Sequence, residues 1–134
     1  VRFELVPMPD EVGARPRDGR GYPVPAITPW RDGQPQFALT DHGCSANCAL
    51  ERRCSVCGGF MERGPVWRVV GAAESAAIAE ATAAGRPYRN LAPTMEGPGH
   101  RACMLYASMV CPYLARPNAR RRVTAEGPAD ALTA

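Results

Sequence analysis

Lysine is missing from this chain altogether: every one of its 16 basic residues is arginine, set against 13 acidic ones for a net charge of +3. Arginine suits bidentate phosphate recognition better than lysine does. An arginine-only chain rich in Ala, Pro and Gly is also what a GC-rich genome produces, so composition alone does not select nucleic acid as a partner. Histidine is nearly missing too, with only His42 and His100 present. A site that spends one of them on a metal keeps a single imidazole for acid–base work. No apolar run is long enough to span a bilayer, and residues 1–7 lack the apolar stretch of a secretory signal. The expected location is therefore cytoplasmic, where thiols stay reduced.

Against these scarcities stand six cysteines. Three disulfides would need an oxidising compartment, so metal ligation is the favoured use. Cys54-Ser55-Val56-Cys57-Gly58-Gly59 supplies a C-x-x-C pair, and His100-Arg101-Ala102-Cys103 supplies H-x-x-C. Two thiolates two residues apart on a tight turn can face one ion, and Gly58 and Gly59 let the backbone turn beneath it. Gly97-Pro98-Gly99 breaks the chain ahead of the apolar run 102–107, which predicts a helix starting at or near His100. Residues three apart on a helix share a face, so His100 and Cys103 can bind the same ion. Cys54, Cys57, His100 and Cys103 are thus the expected ligands of one tetrahedral zinc ion.

Between the pairs, Phe60-Met61, a turn over 62–65 and the run 66–70 read as a β-hairpin. A knuckle, a hairpin and a helix that brings the last two ligands make an α+β domain, small, zinc-stabilised and treble-clef-like. Its expected extent is 36–114, with an alanine-rich helical arm over 72–85 that stops at Gly85. Residues 1–35 read as a Pro-rich irregular segment outside the core, broken by Pro7, Pro9, Pro16, Pro23, Pro25 and Pro29, that either drapes over the domain or stays mobile. Trp30 is its expected anchor in the core, followed by a turn at 31–33 and a strand from Pro35. Residues 115–134 read as a flexible, polar, arginine-rich tail.

A second helix is expected from a Thr40 or Asp41 cap to about Arg53, with Cys44 and Cys48 on one face. These cysteines could be two buried core residues, a thiol pair reaching toward the first site, or half of a second metal site. Such a second site would draw on Asp41, His42, Cys44, Cys48 and Cys111. In the last helix, Cys103, Ala107, Val110, Cys111 and Leu114 recur at helical spacing as the expected inner face.

The pattern C-x-x-C-G at 54–58, then P-x-H-x-x-C-x-x-Y-A-x-x-x-C-P-Y-L-x-x-P over 98–117, resembles a family of small zinc-finger-like proteins from actinobacteria and their phages. Pro23-x-Pro25 and Trp30-x-Asp32-Gly33-x-Pro35-x-Phe37 are similar to that family as well. The resemblance runs over 23–122 apart from the arm, and implies ligand roles for residues 54, 57, 100 and 103 but no activity. This chain departs from it with Ser55-Val56 in place of a tryptophan, with the arm from Gly71 in place of a Gly-Pro-Met loop, and with Cys44 and Cys48.

The function expected from the sequence is a non-enzymatic zinc-binding module that contacts nucleic acid, through Arg116, Arg120, Arg121 and Arg122, or a protein partner. The alternative is a metal-dependent enzyme of nuclease or hydrolase type with a second metal near His42, Cys44 and Cys48. Four protein ligands close a zinc and deny hydrolysis its open position, and the expected hairpin carries no histidine. Thiol redox at Cys54-x-x-Cys57 ranks last, because a hairpin rather than a helix follows the pair.

Overall fold

Four helices and four two-residue strands are named in the computed structural model, which describes residues 5–89 and 97–110 and the backbone of 122–123. The short α1 (Asp10–Gly13) is followed by β1 (Trp30–Arg31) and β2 (Gln34–Pro35), an antiparallel pair with Trp30 opposite Pro35. Asp32 and Gly33 turn the chain between them, both at positive φ (52° and 74°), the two-residue geometry whose twist matches paired strands. Next, β3 (Leu39–Thr40) pairs in parallel with β4 (Arg122–Val123), which brings the arginine-rich segment back to the domain at that point. The domain is α+β, and no helix of the described residues is long and apolar enough to cross a membrane.

Helix α2 (His42–Leu50) starts where the sequence places it. The Asp41 carboxylate accepts a hydrogen bond from the Cys44 amide at 2.9 Å, satisfying one of the open amides of the first turn. Asp41→Ala is expected to cost about 1 kcal/mol of stability, read from denaturant midpoints. The helix ends with Arg52 at φ 52°, a left-handed conformation costly for a side chain. The Arg53 amide then reaches back to the Cys48 carbonyl at 2.8 Å, and the Arg52 guanidinium donates to the carbonyls of Met61 and Glu62.

Helix α3 (Ala72–Ala83) is the alanine-rich arm. Ala81 is its buried residue, and Gly85 follows at φ 67°. Alanine propensity makes this helix with little packing to hold it. Helix α4 (Arg101–Val110) buries Cys103, Met104, Tyr106, Ala107 and Val110. The expected inner-face residues Cys111 and Leu114 lie outside the described residues, as do the short strand over 2–6 in its first part, residues 90–96 of the loop before Gly97, and Arg116, Arg120 and Arg121.

Three expectations are corrected. The proline-rich start does not stand apart from the core: Val12, Val24 and Ile27 are among the most buried side chains. Proline breaks regular elements but not burial, and the Ala26 and Ile27 amides bond to the carbonyls of Val56 and Ser55, which ties this segment to the back of the knuckle. Trp30 is no anchor, since it stands 44% exposed on β1. Finally, the two limbs expected to form a hairpin are not paired with each other among the described residues. Phe60 bridges Arg53, and Trp67 bridges Gly99. Gly64 opens the intervening turn at φ 132°, and Pro65 has no amide to donate, so each limb finds its ladder partner in a ligand-bearing segment instead.

Candidate metal centre

The knuckle is built from backbone hydrogen bonds before any metal is considered. The Cys54 amide donates to the Gly59 carbonyl and the Gly58 amide to the Cys54 carbonyl, both at 2.8 Å, while the Met61 amide closes on Arg52. Gly58 takes φ 76° at the turn, as expected from its place in the motif. The second ligand segment is laid against the first by three bonds. Ser55 donates to Pro98 at 3.1 Å, and Trp67 and Gly99 exchange amide and carbonyl at 3.0 and 2.8 Å. His100 then opens α4, its carbonyl accepting from the Met104 amide, and Cys103 lies one turn on.

These constraints bring four donor atoms together. The Sγ atoms of Cys54, Cys57 and Cys103 and a ring nitrogen of His100 all lie within 4.8 Å of one another. His100 Nδ1 is 3.5 Å from Cys57 Sγ and 3.8 Å from Cys103 Sγ. Metal–sulfur bonds of about 2.3 Å and a metal–nitrogen bond of about 2.0–2.1 Å give tetrahedral edges of roughly 3.8 Å between sulfurs and 3.5 Å between sulfur and nitrogen. The spacing fits one such ion, and this Cys3His cluster could hold a metal.

The surroundings support ligation. His100 Nε2 lies 2.9 Å from the Phe60 carbonyl, so the hydrogen sits on Nε2 and leaves Nδ1 free as a donor atom, the outer-shell arrangement that fixes a ligating imidazole. Backbone amides point at the sulfurs as well, His100 at Cys54 Sγ (3.4 Å) and Gly59 at Cys57 Sγ (3.3 Å). The Cys54 thiol is drawn down to about 4, first by the hydrogen bond from Cys103 and then by the amides of Cys57, His100 and Val56 against the pull of burial. Cys103 is pushed up because it donates to the Cys54 thiolate and is buried. Burial also raises Cys57. A negative sulfur at the centre of the cluster is what a cation would meet.

The other expected ligands do not join this centre. Cys48 is buried, and its thiol is raised to about 11, by burial first and then by Cys44. The half-buried Cys44 donates to the Ala26 carbonyl at 3.1 Å. Among the described residues, His42, Cys44 and Cys48 are not part of any group of three that could hold an ion. Cys111 and the side chain of Arg122 lie outside the described residues.

The residues that sequence reasoning missed are the supporting ones. Phe60 contributes its carbonyl, which no side-chain motif announces. Gly99 is legible only as a chain breaker, yet a Cβ there would lie 2.6 Å from Met104 Cε and 2.8 Å from Cys54 Sγ. Its role is close approach. Comparison with family models, curated proteins and solved structures finds no match to this chain.

Proposed function

We propose that the chain is a non-enzymatic zinc module, with the knuckle and ligand-bearing helix of a treble clef but without its paired hairpin, in which Cys54, Cys57, His100 and Cys103 clasp one zinc ion, and that the folded surface contacts a macromolecular partner. Membership of the actinobacterial and phage family, and a cytoplasmic location, belong to the same proposal. The observation that carries it is the meeting of four donor atoms from two segments more than forty residues apart. Three soft thiolates and one imidazole suit zinc over hard cations, and a complete protein shell suits a structural ion better than a catalytic one. A metal bound in this way adds folding free energy on the order of 10 kcal/mol, comparable with the whole net stability of a small domain.

Elemental analysis of protein purified without added metal tests this proposal. One zinc per chain is expected, with loss of the folded circular dichroism signal on chelation and full recovery on adding zinc back. Thiol titration is expected to find Cys54, Cys57 and Cys103 shielded until the chelator is added. A chain that folds equally well without metal, or holds two ions, contradicts the proposal.

A further inference from the structure

Two aromatic rings project from the surface beside the clasp: Phe60 is 68% exposed and Trp67 is 45% exposed. Exposed apolar residues scattered singly are ordinary, but these two are fixed to neighbouring positions of one segment. The Phe60 carbonyl meets the His100 ring, and the Trp67 backbone is paired with Gly99. Each ring also carries a guanidinium over its face. Arg53 lies 5.5 Å from the Phe60 ring and Arg101 lies 5.5 Å from the Trp67 ring. Arg63 is exposed on the turn that joins the two aromatic limbs, and neither Arg63 nor Arg101 has an ion pair among the described residues.

Arg53 is itself paired with Glu51 at 2.8 Å, which leaves Arg101 and Arg63 as the guanidinium groups of this surface without an ion pair among the described residues. Aromatic faces set beside such groups match one kind of polymer, in which flat rings alternate with phosphates. An acidic peptide would answer the arginines and leave the rings unused. A duplex would answer the phosphate contacts but keep its base faces stacked on one another. We propose that this surface binds single-stranded DNA, with bases stacked on Phe60 and Trp67 and phosphates held by Arg101 and Arg63. Stacking and phosphate contact are what these side chains offer, and neither needs a ribose 2′-hydroxyl. The inference rests on the zinc-held module proposed above, because the metal segment sets both rings.

The test uses the full metal-loaded chain and a labelled oligo-dT of about twelve residues, followed by fluorescence anisotropy at about 50 mM salt and upward. The F60A/W67A double variant is expected to bind at least about 10-fold more weakly, from the loss of two stacking faces. R101Q is expected to lower the slope of log affinity against log salt by about 0.7, the share of one phosphate contact on a single strand. Zinc content and melting of each variant are measured alongside. Should the double variant lose its metal, the W30F chain keeps Trp67 as its only tryptophan, and oligo-dT is then expected to quench that fluorescence. Absence of binding at low salt, equal or tighter binding of a duplex, preference for oligo-U alone, undiminished binding by a metal-loaded double variant, or binding without Trp67 quenching overturns the proposal. A chain that holds one zinc and ignores DNA fails here only, whereas a chain without zinc fails the earlier reading.

Discussion

Cys103→Ser is expected to abolish stoichiometric zinc binding and to leave the region around the knuckle without a cooperative melting transition. Cys103 is 1% exposed and Cys54 is fully buried, so these two sulfurs form the inner side of the cluster and cannot be replaced by solvent. On the zinc reading, a bound cation offsets the cost of burying them. Without it, the packed sulfurs keep their desolvation and lose the bond that offsets it. The same cluster touches the core, where Cys54 and Cys103 pack with Val56, Met61, Met104, Tyr106, Ala107 and Val110. Metal loss and core loss are therefore one event. Cys44→Ser is the matched control. That half-buried thiol bonds to the Ala26 carbonyl and to the Cys48 thiol and is not one of the four clustered residues, so its variant is expected to retain zinc and melt within a few degrees of the parent. Elemental analysis with thermal melts checks both.

Gly99→Ala is expected to have the second-largest effect. A methyl group at this position would stand 2.6 Å from Met104 Cε and 2.8 Å from Cys54 Sγ. The end of the methionine can swing away at modest cost. The sulfur cannot, because the knuckle's backbone bonds set its place, and on the zinc reading the metal bond does so as well. The segment must retreat instead, which strains the Trp67–Gly99 pairing and carries His100 away from its neighbours. Overpacking of this kind costs about 1–3 kcal/mol, and here it also falls on zinc affinity, so a drop in both is expected in competition with a chelator. Gly97→Ala, two residues earlier, supplies the contrast: its nearest contact would be 3.8 Å, an ordinary van der Waals distance, and little change is expected.

The two pairs that form the Cys3His cluster, the cap at Asp41, the arm and the start of the last helix are legible because each depends on near neighbours in the chain. C-x-x-C with Gly58, Asp41 three residues before Cys44, and an alanine run ended by Gly85 carry their geometry locally. What was not legible depends on partners far away. Nothing in Phe60-Met61 or Val66-Trp67 says that the first limb pairs with Arg53 and the second with Gly99, since a two-strand pattern fits either choice. Prolines at 23 and 25 exclude helix and central strand, but they do not say that Val24 between them is fully buried. Trp30 looked like a core residue by type alone, whereas its two-residue strand leaves the ring outside. The spacing of 103, 107 and 110 gave part of the inner face of α4, and Met104 and Tyr106 widen it because the N-terminal segment covers a broader stripe of that helix.

X-ray absorption at the zinc edge on protein purified without added metal addresses the clasp most directly. The expected spectrum is one ion per chain with three sulfur neighbours at about 2.3 Å and one nitrogen at about 2.0 Å, with the nitrogen lost in His100→Ala and one sulfur lost in Cys57→Ala. A shell dominated by oxygen, four sulfurs, or a spectrum unchanged by His100→Ala would contradict it.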